Sequence, residues 1–219
     1  MIVALKVEVV FDFVCPWCAI GKRQLDLALA ALAHERPDVH STVIWHGFPL
    51  LPEIPRAGVS FAAFYRARLG GDDAVAARQA QVRAAGRAVG LEFAFERMAV
   101  MPNTLGAHRL ARHIARMHGE PRQFIEALFE AYFVRGEHIG TPSVLARVAA
   151  RCGLDDGDCA RALAGSPEDD ALLLQERDQW HERGVRGVPH VLLNGSPVAG
   201  VQADGRLLEA MRRALIQGR

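Results

Sequence analysis

The sequence predicts an α/β fold: a βαβ unit at the start and a ββα unit at the end, separated by a long helical block. Three observations predict it. Apolar side chains alternate with period two over residues 4–13, then switch to helical spacing just past a cysteine pair. From residue 60 to about 183 the periodic segments are mostly helical. Strand pattern returns only around Asn194-Gly195, a strong hairpin signal. Neither flank makes a complete sheet alone. Residues 1–50 and 184–219 are therefore expected to form one discontinuous domain, with a helical insertion (linker included) over 51–183.

Each element has a local reason. In the first strand Leu5, Val7, Val9, Phe11 and Phe13 share one face, and Lys6, Glu8 and Asp12 the other, with Val10 as the exception. Ile20, Leu25, Leu29 and Leu32 then lie close to one helical stripe. Pro16 suits the first turn of that helix, where a missing N–H costs nothing, so Cys15 falls at or just before the helix N-terminus. "VHSTVIWHGF" (39–48) reads as the second strand and "PLLPEIPRAG" as a proline-rich linker. Helices are expected over 60–69, 72–89, 103–118, 121–134, 142–151, 156–164 and 168–183. Thr141-Pro142 and Ser166-Pro167 place a hydroxyl at N-cap before proline at N1, and Gly119, Gly153 and Gly184 stand where helices end. Residues 190–193 and 197–201 are the arms of the hairpin, and "DGRLLEAMRRALIQ" is an amphipathic closing helix.

With 26 basic against 25 acidic side chains, charge gives no reason to expect nucleic acid or an anionic membrane as partner. No run of eighteen apolar residues occurs, and the first residues lack a basic region and a small-residue cleavage site. A cytoplasmic setting is expected, where ordinary thiols stay reduced.

That setting sharpens the question raised by "FDFVCPWCAIGK". Thiol–disulfide exchange needs a reachable thiolate and a second thiol to resolve the mixed disulfide. A C-x-x-C pair at a helix start supplies both. The terminal N–H groups and the macrodipole favour negative sulfur at Cys15, the expected nucleophile. Cys18, one turn further in, is the expected resolving thiol. Trp17 is bulky and neutral, suited to shielding the disulfide and touching a client chain. Two other readings stand beside this one: a pair of small buried hydrophobes, or half of a zinc site. Zinc needs two more ligands, and Cys152 and Cys159 lie far off with six residues between them, so no metal is expected. Those two cysteines are expected to remain reduced thiols.

The stretch "GVRGVPHVLLNG" adds to the case. Pro189 stands at the mouth of a predicted strand, and a cis Val188–Pro189 bond is the expected device. With "CPWC" at the first βα junction and "GVP" before the third core strand, the sequence resembles the thioredoxin superfamily, and within it the DsbA-like family. More narrowly it resembles the FrnE-type branch, through "DFVCPWCAIGK", "GLEFAF", "MPNTLGAHRL", "AYFVRG" and "GVRGVPHVLLNG" in that order. The resemblance implies a thioredoxin-like core with a helical lid, and protein dithiol–disulfide oxidoreductase activity on disulfide- or dithiol-containing clients. It also implies a cis Pro189 packed beside the cysteines, with the Val188 backbone pairing with an extended client segment. Trp17 replaces the histidine of the periplasmic DsbA pattern, so a strongly oxidising potential is not implied.

The same group of folds includes kappa-class glutathione transferases and 2-hydroxychromene-2-carboxylate isomerases, which this chain resembles in the helical insertion and in "GVRGVP". They use glutathione, typically with a hydroxyl where Cys15 stands. No cofactor is required for exchange chemistry, but glutathione is a candidate ligand, with Asp204 at the start of the last helix as a docking point or a plain N-cap. A peptide-binding module with spectator cysteines is the third class. Four further residues carry supporting or ordinary structural readings: Asp12 acting on protons near the pair or merely shaping a turn, Pro16 starting the helix, Asn103 as an N-cap that the resemblance sets near the cleft, and His190 as a strand side chain or a neighbour of the thiolate. His108, His113 and His118 are expected on a solvated or satisfied helix face, since His108 and His113 are five apart. Phe124, Phe129, Tyr132 and Phe133 are expected in the core of the insertion.

Overall fold

Strand β1 (Val3–Phe11) leads into helix α1 (Pro16–Glu35) and the parallel strand β2 (Val39–Gly47), as the alternating and helical spacings require. These come from a computed structural model, which describes residues 3–198 and 206–217. A two-residue strand β3 (Val59–Ser60) follows the linker, then helices α2 (Phe61–Leu69) and α3 (Asp72–Arg87), and strand β4 (Val100–Met101) pairs back onto β3. This small ribbon was not legible, because two residues hold no period. Helices α4 (Leu105–His118), α5 (Arg122–Phe133), α6 (Pro142–Arg151), α7 (Asp156–Ala164) and α8 (Pro167–Glu182) complete the helical block. Strands β5 (His190–Leu193) and β6 (Ser196–Val198) and helix α9 (Arg206–Gln217) close the chain.

The main sheet has the order β2-β1-β5-β6, with β5 antiparallel to β1. Its register sets Val7 opposite Leu193 and Val10 opposite His190. The segment before β5 is thereby delivered to the C-terminal end of β1, where α1 begins. The hairpin joining β5 to β6 turns on Asn194 and Gly195 with φ of 49° and 81°. Two successive positive φ values make the mirror-image turn that matches strand twist. Asn194 also ties the turn to β1, accepting from Lys6 N through Oδ1 at 2.9 Å.

Both faces of the sheet are covered. Leu5, Val7, Val9 and Phe11 join the main core with α1 and with Leu207, Met211 and Leu215 of α9. Val10 points the other way into a second cluster with Phe48, Trp180 and Val185. This resolves the one exception to the alternation: the last turn of α8 covers that face, and a buried Val contributes about 2 kcal/mol there. Proline occupies N1 of both α6 and α8. Ser166 forms a full capping box with Asp169, whereas the Thr141 hydroxyl donates back to His138 O and caps nothing.

Candidate active site

Strand β1 ends at Phe11, two residues earlier than the alternation suggests, and residues 12–14 turn into α1. Cys15 N–H donates to Asp12 O at 3.2 Å, which closes that turn. Cys15 is the N-cap of α1, and its carbonyl accepts from Cys18 N at 3.0 Å. Pro16 follows at the first helical position, where it has no N–H to lose. The Cys15 side chain does not cap the helix. Its thiol instead donates toward Val188 O, with Sγ 3.5 Å from the oxygen. The Val188–Pro189 peptide is cis, and His190 starts the strand paired with β1. Residues 173 positions apart thus meet at one helix terminus.

The two sulfurs differ in setting. Cys15 retains 7% exposure and Cys18 only 2%. Cys15 is therefore far more enclosed than a freely reachable nucleophile, because its thiol lies against the Val188 carbonyl. Burial pushes the Cys18 thiol well above the usual range, and its hydrogen bond to Cys15 and the Cys15 charge push the same way. Trp17 is half-buried and packs against the core. Both cysteines are free thiols, as are the half-buried Cys152 and the buried Cys159. Burial raises the Cys152 and Cys159 thiols, the setting of inert cysteines.

Asp12 shapes the turn through its carbonyl, but its side chain does not face solvent as its place in the alternation suggests. It is fully buried. One carboxylate oxygen accepts from Leu50 N at 2.7 Å, and the other lies 3.0 Å from His108 Nε2. His108 was expected on a satisfied or solvated face of α4. It is satisfied at Nε2 but 98% removed from solvent, its ring 5.4 Å from Phe11 and 4.9 Å from Phe13. Gly47 leaves it room: a Cβ there would fall 2.7 Å from His108 Nδ1. Thr104 holds the N-cap position of α4 but its side chain caps nothing; Asn103, one residue earlier, supplies the cap, its Oδ1 accepting from Leu105 N at 3.0 Å. The Asn103 amide also clamps the linker, donating to Pro52 O and Ile54 O at 3.2 and 2.7 Å. His190 is half-buried, and burial lowers its pKa. Asp204 lies outside the described residues.

Two residues near the cysteines carry no motif signal of their own. His108 belongs to "MPNTLGAHRL", yet helical spacing alone shows only a polar residue on an otherwise apolar turn. Tyr65 of α2 faces the same region: burial, then the nearby Cys15 charge, pushes its phenol up to about 12. It lines an apolar notch with Pro16, Phe61 and Phe95. The expected insertion core is present, with Phe124, Phe129, Tyr132 and Phe133 all buried. Among the described residues no group of three or more His, Cys, Asp or Glu is placed to hold a metal ion, and no helix is long and apolar enough to cross a membrane.

Residues 6–212 match the model of the DSBA-like thioredoxin domain. The chain belongs to that family. Its fold is accordingly thioredoxin-like, with the helices of the middle region inserted between the two halves of the core. The crystal structure of a probable DsbA oxidoreductase from Streptomyces coelicolor superposes with a TM-score of 0.83 at 25% identity, covering 96% of this chain and 89% of that one. A cytosolic disulfide reductase, DsbM from Pseudomonas aeruginosa, solved with GSH, shares the fold at a TM-score of 0.66 and 17% identity, covering 97% and 96% of the two chains. A 2-hydroxychromene-2-carboxylate isomerase shares it at 0.69 and 18%, covering 97% of each. The same fold thus carries, in other proteins, a disulfide reductase and an isomerase.

Proposed function

We propose that this chain is a thiol–disulfide oxidoreductase of the FrnE-type branch, exchanging disulfides with protein or small-thiol clients through Cys15-Pro16-Trp17-Cys18. The observation that carries the reading is the placement of two thiols of unequal burial on the first turn of α1, with Cys15 Sγ 3.5 Å from Val188 O. In the cycle, the Cys15 thiolate attacks one sulfur of a client disulfide. A Cys15–client bond forms, the client S–S bond breaks, and the other client sulfur leaves as thiolate. Cys18 loses its proton and attacks Cys15 Sγ. The Cys15–Cys18 disulfide forms and the second client thiolate is released. The client has gained two electrons, and a second dithiol returns the enzyme to its reduced state; run backward, the cycle oxidises a client dithiol. The Val188 carbonyl, released from Cys15 as the thiol ionises, becomes an acceptor for an extended client backbone, and Trp17 with Pro189 supplies apolar contact. No metal or organic cofactor takes part, and the setting is a reducing, cytoplasmic one.

Cys15→Ser tests this. Reductase activity on a disulfide-linked protein such as insulin is expected to fall to background, with client binding retained; unchanged turnover refutes the mechanism. Loss of turnover with binding kept also separates catalysis from a peptide-binding module. The potential of the couple, equilibrated against glutathione, assigns direction: near about −270 mV favours reduction and near about −120 mV oxidation. A glutathione-dependent transferase or isomerase is the second reading, favoured by the fold shared with the carboxylate isomerase. It predicts saturable glutathione binding and an activity that survives Cys18→Ser.

A further inference from the structure

Two side chains of the helical insertion bear on the surroundings of the redox pair, Tyr65 of α2 and His108 of α4. Asp12 and His108 are both buried, and they join β1 of the core to α4 of the insertion. Asp12 is tied to Cys15 by the backbone hydrogen bond that closes the turn. Its carboxylate has two donors, Leu50 N–H and His108 Nε2. The proton of His108 belongs on Nε2, because a carboxylate only accepts. Nδ1 is buried and has no hydrogen-bond partner among the described residues, so a proton there would be an unsatisfied donor. The ring is wedged by Phe11, Phe13 and the close approach of Gly47, which leaves it one orientation. The couple therefore holds a carboxylate in fixed geometry in a dry region, where a charge acts over a longer range than in water. The titratable groups around it are Cys15 and Cys18 on α1, His108 on α4 and Tyr132 on α5, with Tyr65 on α2 facing Cys15.

We propose that His108 is a positioning residue supplied by the insertion: by orienting the Asp12 carboxylate behind the Cys15–Cys18 pair, it sets the redox potential of that couple. This rests on the exchange reading above. Reduction takes two electrons and turns a neutral disulfide into thiols that ionise to thiolate. A fixed negative charge disfavours the thiolate and so disfavours the reduced form. Removing that charge makes the couple more oxidising.

The test is equilibration of the purified protein with glutathione redox buffers at pH 8, with thiolate absorbance near 240 nm followed against pH. Asp12→Asn is expected to shift the equilibrium about 10-fold toward the dithiol, which is about 30 mV, with thiolate absorbance appearing at lower pH. His108→Phe, which removes the donor, is expected to move it in the same direction by less. His108→Gln, which keeps an N–H, is expected to stay near the unsubstituted protein. The double variant Asp12→Asn/His108→Phe is expected to match Asp12→Asn alone, because the two act as a unit. Circular dichroism establishes folding; if His108→Phe does not fold, Asp12→Asn and His108→Gln carry the test. An unchanged equilibrium in folded Asp12→Asn overturns the proposal, as do additive shifts in the double variant. Failure of the exchange reading looks different: the unsubstituted protein then forms no reversible Cys15–Cys18 disulfide.

Discussion

Cys15 and Cys18 are identical side chains in unlike surroundings, and the difference is set by one helical turn. Cys15 is the N-cap and keeps a small window to solvent; Cys18 is inside the helix and sealed. Because burial raises the Cys18 thiol, it holds its proton to higher pH than an ordinary cysteine near about 8.5. In the reduced protein, iodoacetamide at pH 7 is expected to modify Cys18 more slowly than Cys15, as read by peptide mass spectrometry. In Cys15→Ser the burial survives, so Cys18 labelling is expected to rise only above the usual thiol range. Equal labelling of the two at pH 7 would contradict the asymmetry. This order suits an attacking sulfur that exchanges with clients and a partner that acts only once a mixed disulfide stands beside it.

At the scale of elements, turn and cap residues carry much of the pattern. The β5–β6 hairpin sits at Asn194-Gly195 because both residues tolerate the left-handed backbone that its tight turn needs. A Cβ at Gly195 would meet no atom of the described residues within 4 Å beyond its chain neighbours, so the cost of a side chain there is conformational. Gly195→Val is expected to destabilise the fold by about 1–2 kcal/mol in chemical denaturation, while exchange activity per folded molecule stays intact. A loss well above that would mean the turn has contacts beyond its backbone. Helix bounds were legible for the same kind of reason: Ser166-Pro167 and Gly119 act within a few residues of where they stand. The β3–β4 ribbon was not, since its two short strands are set by each other and by the linker that Asn103 clamps.

Across the whole molecule, the insertion is locked to the core by charge as well as by apolar packing. Lys22 of α1 is only 4% exposed and pairs with Asp26 on its own helix and with Glu126 of α5. Arg122 of α5 holds the same Asp26 at 2.6 Å. Asp26 is thus the hub between two cations, one of them buried. Asp26→Ala is expected to cost about 2–3 kcal/mol, below the full range for a broken buried pair because Glu126 still faces Lys22 and reaches solvent. Glu126→Ala, with Asp26 left to Lys22, is expected to cost under about 1 kcal/mol. Equal losses in the two variants, measured by denaturant unfolding, would place the hub elsewhere.

Outside the β3–β4 ribbon, strand, helix and turn identity, the two-part core with its helical insertion, and the place of the cysteine pair were readable from local order alone, because period, capping and turn chemistry act over a few neighbouring residues. Burial of Asp12, its union with His108, and the approach of Cys15 to Val188 were not. Each joins segments about 38 to 173 positions apart, and a side chain at that range is placed by the packing of whole elements, which no spacing in the chain records.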